Sequence, residues 1–142
     1  MTKIGRGRLG ALAIALMVCG TLAFAQEARL ETQLATAVQH ASFSMDADEH
    51  DMAVRHLGHV LNCIAGEGGE GFDGSWGHPC GGQGDGILED IGEHPRHDDL
   101  AAVLRSAHAL ALEGVGAETL GSVQAAAAGV RALLEVLVSF GS

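Results

Sequence analysis

Basic residues and aromatic side chains are scarce in this chain. Its 142 residues include eight Lys and Arg against 18 Asp and Glu, a formal net charge of −10 at pH 7, and no tyrosine. A nucleic-acid interface needs clustered positive charge, and an anionic membrane surface would repel so acidic a chain. We therefore expect neither nucleic acid nor a stable membrane contact among its partners.

Several catalytic signatures are also missing. The chain has no Gly-x-Ser-x-Gly nucleophile elbow and no His-Glu-x-x-His, and its glycine-rich stretches do not follow strand-like segments as a phosphate-binding loop would. It contains no Cys-x-x-Cys-His, which excludes covalent attachment of a c-type haem. We do not expect an enzyme.

The first 25 residues resemble a secretory signal peptide. Three basic residues precede a short apolar run that ends in the small-x-small cleavage site Ala23-Phe24-Ala25. The run is too short for a comfortable transmembrane span. Two alternatives are a lipoprotein site at Cys19, where the preceding Val18 is too bulky, and an uncleaved membrane anchor. The sequence thus predicts a periplasmic or secreted protein, with residues 26–142 forming one domain.

Cleavage would leave an acidic domain with two cysteines. Residues 1–25 contain three basic residues and no acidic ones, so the remainder keeps five arginines against 18 acidic residues, a formal charge of −13. An even number of cysteines in an oxidising compartment predicts a Cys63–Cys80 disulfide. Closing a loop of that length contributes roughly 3 kcal/mol in the chain-entropy model. The alternative is a pair of thiolate metal ligands.

Four segments have the apolar periodicity of amphipathic helices, at residues 27–43, 47–65, 96–114 and 117–140. The spacing alternates between three and four residues, as in left-handed helix packing. No segment alternates with period two. The sequence predicts an all-α, four-helix bundle with up-down-up-down topology. The predicted buried positions are Leu30, Leu34, Ala37, Val38, Ala41, Ala53, Val54, Leu57, Val60, Leu61, Ile64, Leu100, Leu104, Ala107, Ala111, Leu120, Val123, Ala127, Val130, Leu134 and Leu137.

Two connections between these helices carry sequence signals. Asp46, followed three residues later by Glu49, predicts a capping box at the start of the second helix. Residues 66–94 form a long glycine-rich loop, which the disulfide would attach to the end of that helix. Phe72 and Trp76 in this loop would either form a lid or cover one edge of the core.

Histidine is the residue type with the clearest functional pattern, because all eight histidines lie beyond residue 25. On helical wheels His50 and His108 face inward, and His40 lies at the margin of the first helix's apolar face. At about 1.5 Å per residue, antiparallel helices would place all three at one level. We predict a site for Cu, Zn or Ni at His40, His50 and His108, since imidazole suits these ions. Met45 and Met52 would favour copper.

Two other functions remain open for the same residues. His108 with His50, Met45 or Met52 could provide the axial ligands of a b-type haem in an electron-transfer protein. Alternatively, His50 is a local helix cap, His108 is a core histidine bonded to a backbone carbonyl, and the domain is a metal-free structural or interaction protein. A homodimer also remains open.

A second group of histidines is predicted near the other end of the second helix. His56 and His59 are three residues apart, a spacing that lets two imidazoles share an ion. His78, through the disulfide-linked loop, and His97 are expected to approach them. This group would be an open surface metal site or an acid-sensing patch, or simply a solvated face.

Overall fold

The structure is a computed structural model that describes residues 8–94 and 96–141, and the side chains of residues 24–92, 94 and 96–140. This part of the chain contains five α-helices and no strand, which confirms the all-α class. They are α1 (Arg8–Asp46), α2 (His50–Ala65), α3 (Ile87–Asp90), α4 (His97–Val115) and α5 (Leu120–Gly141), with a 3-10 helix at Ile91–Glu93 between α3 and α4.

The four long helices share one apolar core. Helix α1 packs against α2 and α5, and α4 packs against α2 and α5, so each long helix has two principal neighbours. The predicted apolar stripes are confirmed: every position is buried except Val38, Val54 and Leu120, which pack partly buried against the core. Many of these residues are alanines, whose small side chains let the helix backbones approach closely.

The boundaries differ from the prediction at two places. Helix α1 begins at Arg8 and therefore continues through the predicted cleavage site after Ala25. The predicted loop 66–94 contains α3 and the 3-10 helix, which the sequence analysis missed. Ile87 and Ile91 are only 0% and 2% exposed, so burial of these two isoleucines against the core stabilises elements too short to show periodicity.

The connection between α1 and α2 is short and well anchored. The Ser44 hydroxyl donates a 2.8 Å hydrogen bond to the carbonyl of Ala53, which ties the end of α1 to the first turn of α2. The Gln124 amide on α5 donates to the carbonyls of Met45 and Ala47. The predicted capping box is wrong, because Glu49 is the residue that precedes α2 and its side chain makes no capping hydrogen bond.

The Cys63–Cys80 disulfide is present and buried, as predicted. Asn62, the residue before Cys63, is fully buried and binds the same loop at positions that precede Cys80. Its amide nitrogen donates to the carbonyls of Asp73, at 2.8 Å, and Gly77, at 2.7 Å, and its oxygen accepts the Asp73 amide at 2.9 Å. The last turn of α2 thus holds the loop at three points.

Helix α5 is the most apolar of the described helices. Its segment Leu120–Phe140 has a mean hydropathy of 1.5, long and apolar enough to cross a membrane by length and composition, and a third of that window is buried. A core helix gives the same signal, and α5 contributes a full buried stripe to the core.

Removing the disulfide should destabilise the protein. We expect replacement of Cys63 and Cys80 together by serine to lower the free energy of unfolding by about 2–4 kcal/mol, because the unfolded chain regains the entropy of an open loop. Denaturant unfolding under oxidising conditions measures the difference. With a strong reductant present, the two proteins should become similar. Equal stability under oxidising conditions would contradict the prediction.

Candidate metal centre

Three histidines from two helices converge on the outer side of the α1–α2 pair. His40 lies six residues before the end of α1 and His56 six residues after the start of α2, so the short connection sets them at the same level. His59 lies on the same face as His56, one helical turn further along. Among residues with described side chains, these three form the one group of three or more potential ligands that could hold a metal ion.

The ring nitrogens are spaced as metal ligands are. Nδ1 of His40 lies 3.3 Å from Nδ1 of His56 and 3.1 Å from Nδ1 of His59. Two ligand nitrogens in a tetrahedral zinc site, with bonds of about 2.0–2.1 Å, are about 3.3 Å apart. One nitrogen from each ring lies within 4.8 Å of the others. Three ligands leave a fourth tetrahedral position open.

A backbone carbonyl determines which nitrogen of His59 can bind a metal. Nε2 of His59 is hydrogen-bonded to the carbonyl oxygen of Trp76. A carbonyl only accepts, so Nε2 must carry the proton, and the neutral ring then has its lone pair on Nδ1, facing His40. A metal-ligating histidine commonly donates its second nitrogen to a carbonyl or carboxylate in this way.

All three histidines favour the neutral form that metal binding requires. Burial, reinforced by the neighbouring His59 and His56, lowers the pKa of His40 from 6.5 to about 4. Burial also lowers the pKa of His56, with His59 and Arg55 adding to it. At His59 burial again lowers the pKa, against the Trp76 hydrogen bond, which raises it. Without a metal, His40 Nδ1–H can donate to the Nδ1 lone pair of His59.

Aromatic rings border the cluster. Phe43 lies edge-on to His40, with ring centroids 5.5 Å apart, and 5.3 Å from the centroid of His56. The Trp76 ring packs on α2 at Gly58, where a Cβ would lie 2.3 Å from a ring carbon. Gly58 therefore provides the space for the ring of the residue whose carbonyl contacts His59. On the solvent side, His56 lines a shallow depression with Phe43 and Met52.

The predicted layer of His40, His50 and His108 is not formed. Nε2 of His50 contacts the carbonyl of Ala117 at 2.8 Å, in the connection between α4 and α5. Nε2 of His108, a buried residue, contacts the carbonyl of Glu70 at 2.8 Å. These two imidazoles therefore fasten loops to helices, whereas His40 pairs with His56 and His59.

Of the predicted second group, the structure brings together only the first two members. His56 and His59 do share one site, but with His40 rather than with His78 and His97. His78 lies against the Phe72 ring, 5.2 Å between centroids, and His97 pairs with the adjacent Asp98 at 3.2 Å. For His40, the one indication in the sequence was its position at the margin of the apolar face of α1. A side chain at that margin points toward the side of α2 rather than into the core.

No family model, curated protein or solved structure matches this chain.

Acid should destabilise the folded protein through His40. The pKa of His40 is about 4 in the folded state and ordinary, 6.5, in the unfolded state, so between these values the unfolded chain binds more protons. The free energy of unfolding should thus be fully maintained above pH 6.5 and decrease as the pH falls toward 4. Chemical denaturation across this range, for wild type and His40→Gln, measures the effect.

The variant separates His40 from the carboxylates, which titrate in both proteins. We expect the wild type to lose more stability than His40→Gln between pH 6.5 and 4. Identical pH dependence in the two proteins would show that burial does not lower the pKa of His40.

Proposed function

We propose that this protein binds a transition metal ion, Cu or Zn, through His40, His56 and His59. The observation that supports it most is the distance of Nδ1 of His40 from Nδ1 of His56 and of His59, together with the fixed tautomer of His59. The lowered pKa values keep lone pairs available at neutral pH, so the site needs no deprotonation before it binds an ion. The open fourth position suits binding or buffering of an exchangeable ion.

The proposal includes export and an up-down-up-down four-helix bundle. Among the described side chains Phe24 is 75% exposed, whereas Gln26 donates a hydrogen bond to the carbonyl of Asp90 and Leu30 is buried in the core. Among the described side chains, the first contact with another helix is therefore made by Gln26, the residue directly after the proposed cleavage site. An oxidising periplasmic or extracellular environment would also preserve the Cys63–Cys80 disulfide.

The geometry does not favour the haem alternative. A haem iron binds the less hindered Nε2 of its axial histidine, whereas a small ion can also bind Nδ1, as proposed for His59. In both His108 and His50, Nε2 is engaged with a backbone carbonyl. Freeing either nitrogen would leave a carbonyl without its partner. A metal-free structural or interaction protein remains the function to accept if no ion binds.

Met52 is the donor that would select copper. It lies four residues before His56 on α2, so the two side chains are neighbours on one face, and both line the same depression. Glu49 also lines this depression, but it is two helical turns from His56, whereas Met52 is only one. A thioether is a soft ligand that favours Cu(I) over Zn²⁺. We propose that Met52 takes the fourth position when the ion is Cu(I).

Replacing a ligand should weaken metal binding severely. We expect the full-length protein to bind one Zn²⁺ or Cu²⁺ per chain, and His59→Ala to reduce the affinity by more than the roughly 10–100-fold that loss of an outer-shell partner costs. Competition with a chromophoric chelator measures both. The matched control is His97→Ala, an exposed histidine on α4, which should bind like wild type. Equal affinity for all three proteins would contradict the assignment.

Met52 should distinguish the two metals. We expect Met52→Leu to lower the affinity for Cu(I) and to leave the affinity for Zn²⁺ unchanged, because leucine preserves the volume and removes the sulfur. X-ray absorption of the Cu(I) form should show sulfur scattering that the variant loses. Met45→Leu is the control, since Met45 packs against the core. Sulfur scattering that persists in Met52→Leu would rule out this ligand.

A further inference from the structure

The carbonyl that sets the tautomer of His59 belongs to a loop, so something must hold that loop in place. Trp76 lies in an irregular segment between the end of α2 and α3. A loop carbonyl contributes to a rigid site only if neighbouring contacts fix its position. Two sets of contacts on α2, at Asn62 and at Gly58, meet this requirement.

Asn62 brackets Trp76 on both sides along the chain. It holds Asp73, three residues before Trp76, by two hydrogen bonds, and Gly77, the residue directly after it, by one. The side chain is fully buried, so water does not compete for these bonds. The Trp76 carbonyl is therefore held close to the α2 surface.

The geometry of α2 places Asn62 on the same side of the helix as His59. Asn62 follows His59 by three residues, so the two side chains lie on the same face of α2, one turn apart. Gly77 has a φ of 97°, which favours glycine, and a Cβ there would lie 3.2 Å from Nε2 of His59. The chain thus turns away directly after the carbonyl, leaving space for the ring.

We propose that Asn62 is a positioning residue for the metal centre: by holding Asp73 and Gly77 it fixes the Trp76 carbonyl on Nε2 of His59, and so presents the Nδ1 lone pair to the ion. This inference rests on the proposed metal binding. It gives the glycine-rich loop a role as the outer shell of the site. Outer-shell partners of this kind typically contribute about 10–100-fold to metal affinity.

The test uses Asn62→Asp in the full-length protein. Aspartate keeps the acceptor for the Asp73 amide and loses both donors, so the loop should loosen around Trp76. We expect Zn²⁺ affinity about 10–100-fold below wild type. In the metal-free protein, nitrogen-15 NMR of the His59 ring should show the Nε2–H tautomer in wild type and a mixture of both in the variant.

A second buried amide provides the control. Gln33→Ala removes a 2.6 Å hydrogen bond to Asp90, on the α3 side of α1. This variant should lose stability without changing the His59 tautomer or the metal affinity. If Asn62→Asp does not fold, Gly58→Ala takes its place, because the new Cβ displaces the Trp76 ring while alanine favours the helix.

The outcomes separate the two proposals. A wild type that binds no metal refutes the metal function. If the single Nε2–H tautomer of His59 then becomes mixed in Asn62→Asp, Asn62 positions the ring but not for a metal. A wild type that binds metal, with Asn62→Asp or Gly58→Ala unchanged in affinity and tautomer, overturns the inference. Loss of affinity equal to that of Gln33→Ala would also overturn it, since the effect would then be one of general stability.

Discussion

The hydrogen bond from His59 to the Trp76 carbonyl joins the helical core to the loop. It also determines which nitrogen of His59 carries the proton and which carries the lone pair. Three imidazoles at hydrogen-bonding distance can form a proton-sharing network or a set of metal ligands, depending on where their protons lie. The Trp76 carbonyl fixes the position of the proton on one of these rings, that of His59. The buried Asn62 and the small Gly58 explain why a loop segment can hold the carbonyl there.

The electrostatics of the cluster keep its three histidines in the neutral form, in which they could hold a metal ion. Partial burial of three imidazoles costs solvation, which lowers their pKa values and prevents them from charging together. A metal ion would supply positive charge that all three lone pairs stabilise, without the repulsion that three imidazolium ions would create. The same arrangement makes acid unfavourable to the folded state. If the proposed function is correct, the site responds both to metal supply and to pH.

Periodicity predicted the core well because burial of an apolar stripe repeats along the helix. It predicted the site poorly because the contacts that position the histidines do not repeat along a helix. His50 and His108 face inward as expected, but carbonyls of Ala117 and Glu70 reach them from connections that have no periodic signal. His56 and His59 were recognisable by their spacing, whereas His40 was assigned to the wrong partners. A marginal position on α1 does not reveal which neighbouring helix it meets.

The sequence by itself determined the four long helices and their buried faces, since these depend on residue spacing, and the two cysteines beyond residue 25 predicted the disulfide. The tertiary structure decided which histidines meet, because the packing of α1 on α2 sets the distance between Nδ1 atoms. It also decided the tautomer of His59. That choice depends on a carbonyl from a distant loop position, and no pattern along the chain encodes a contact between backbone and side chain across such a separation.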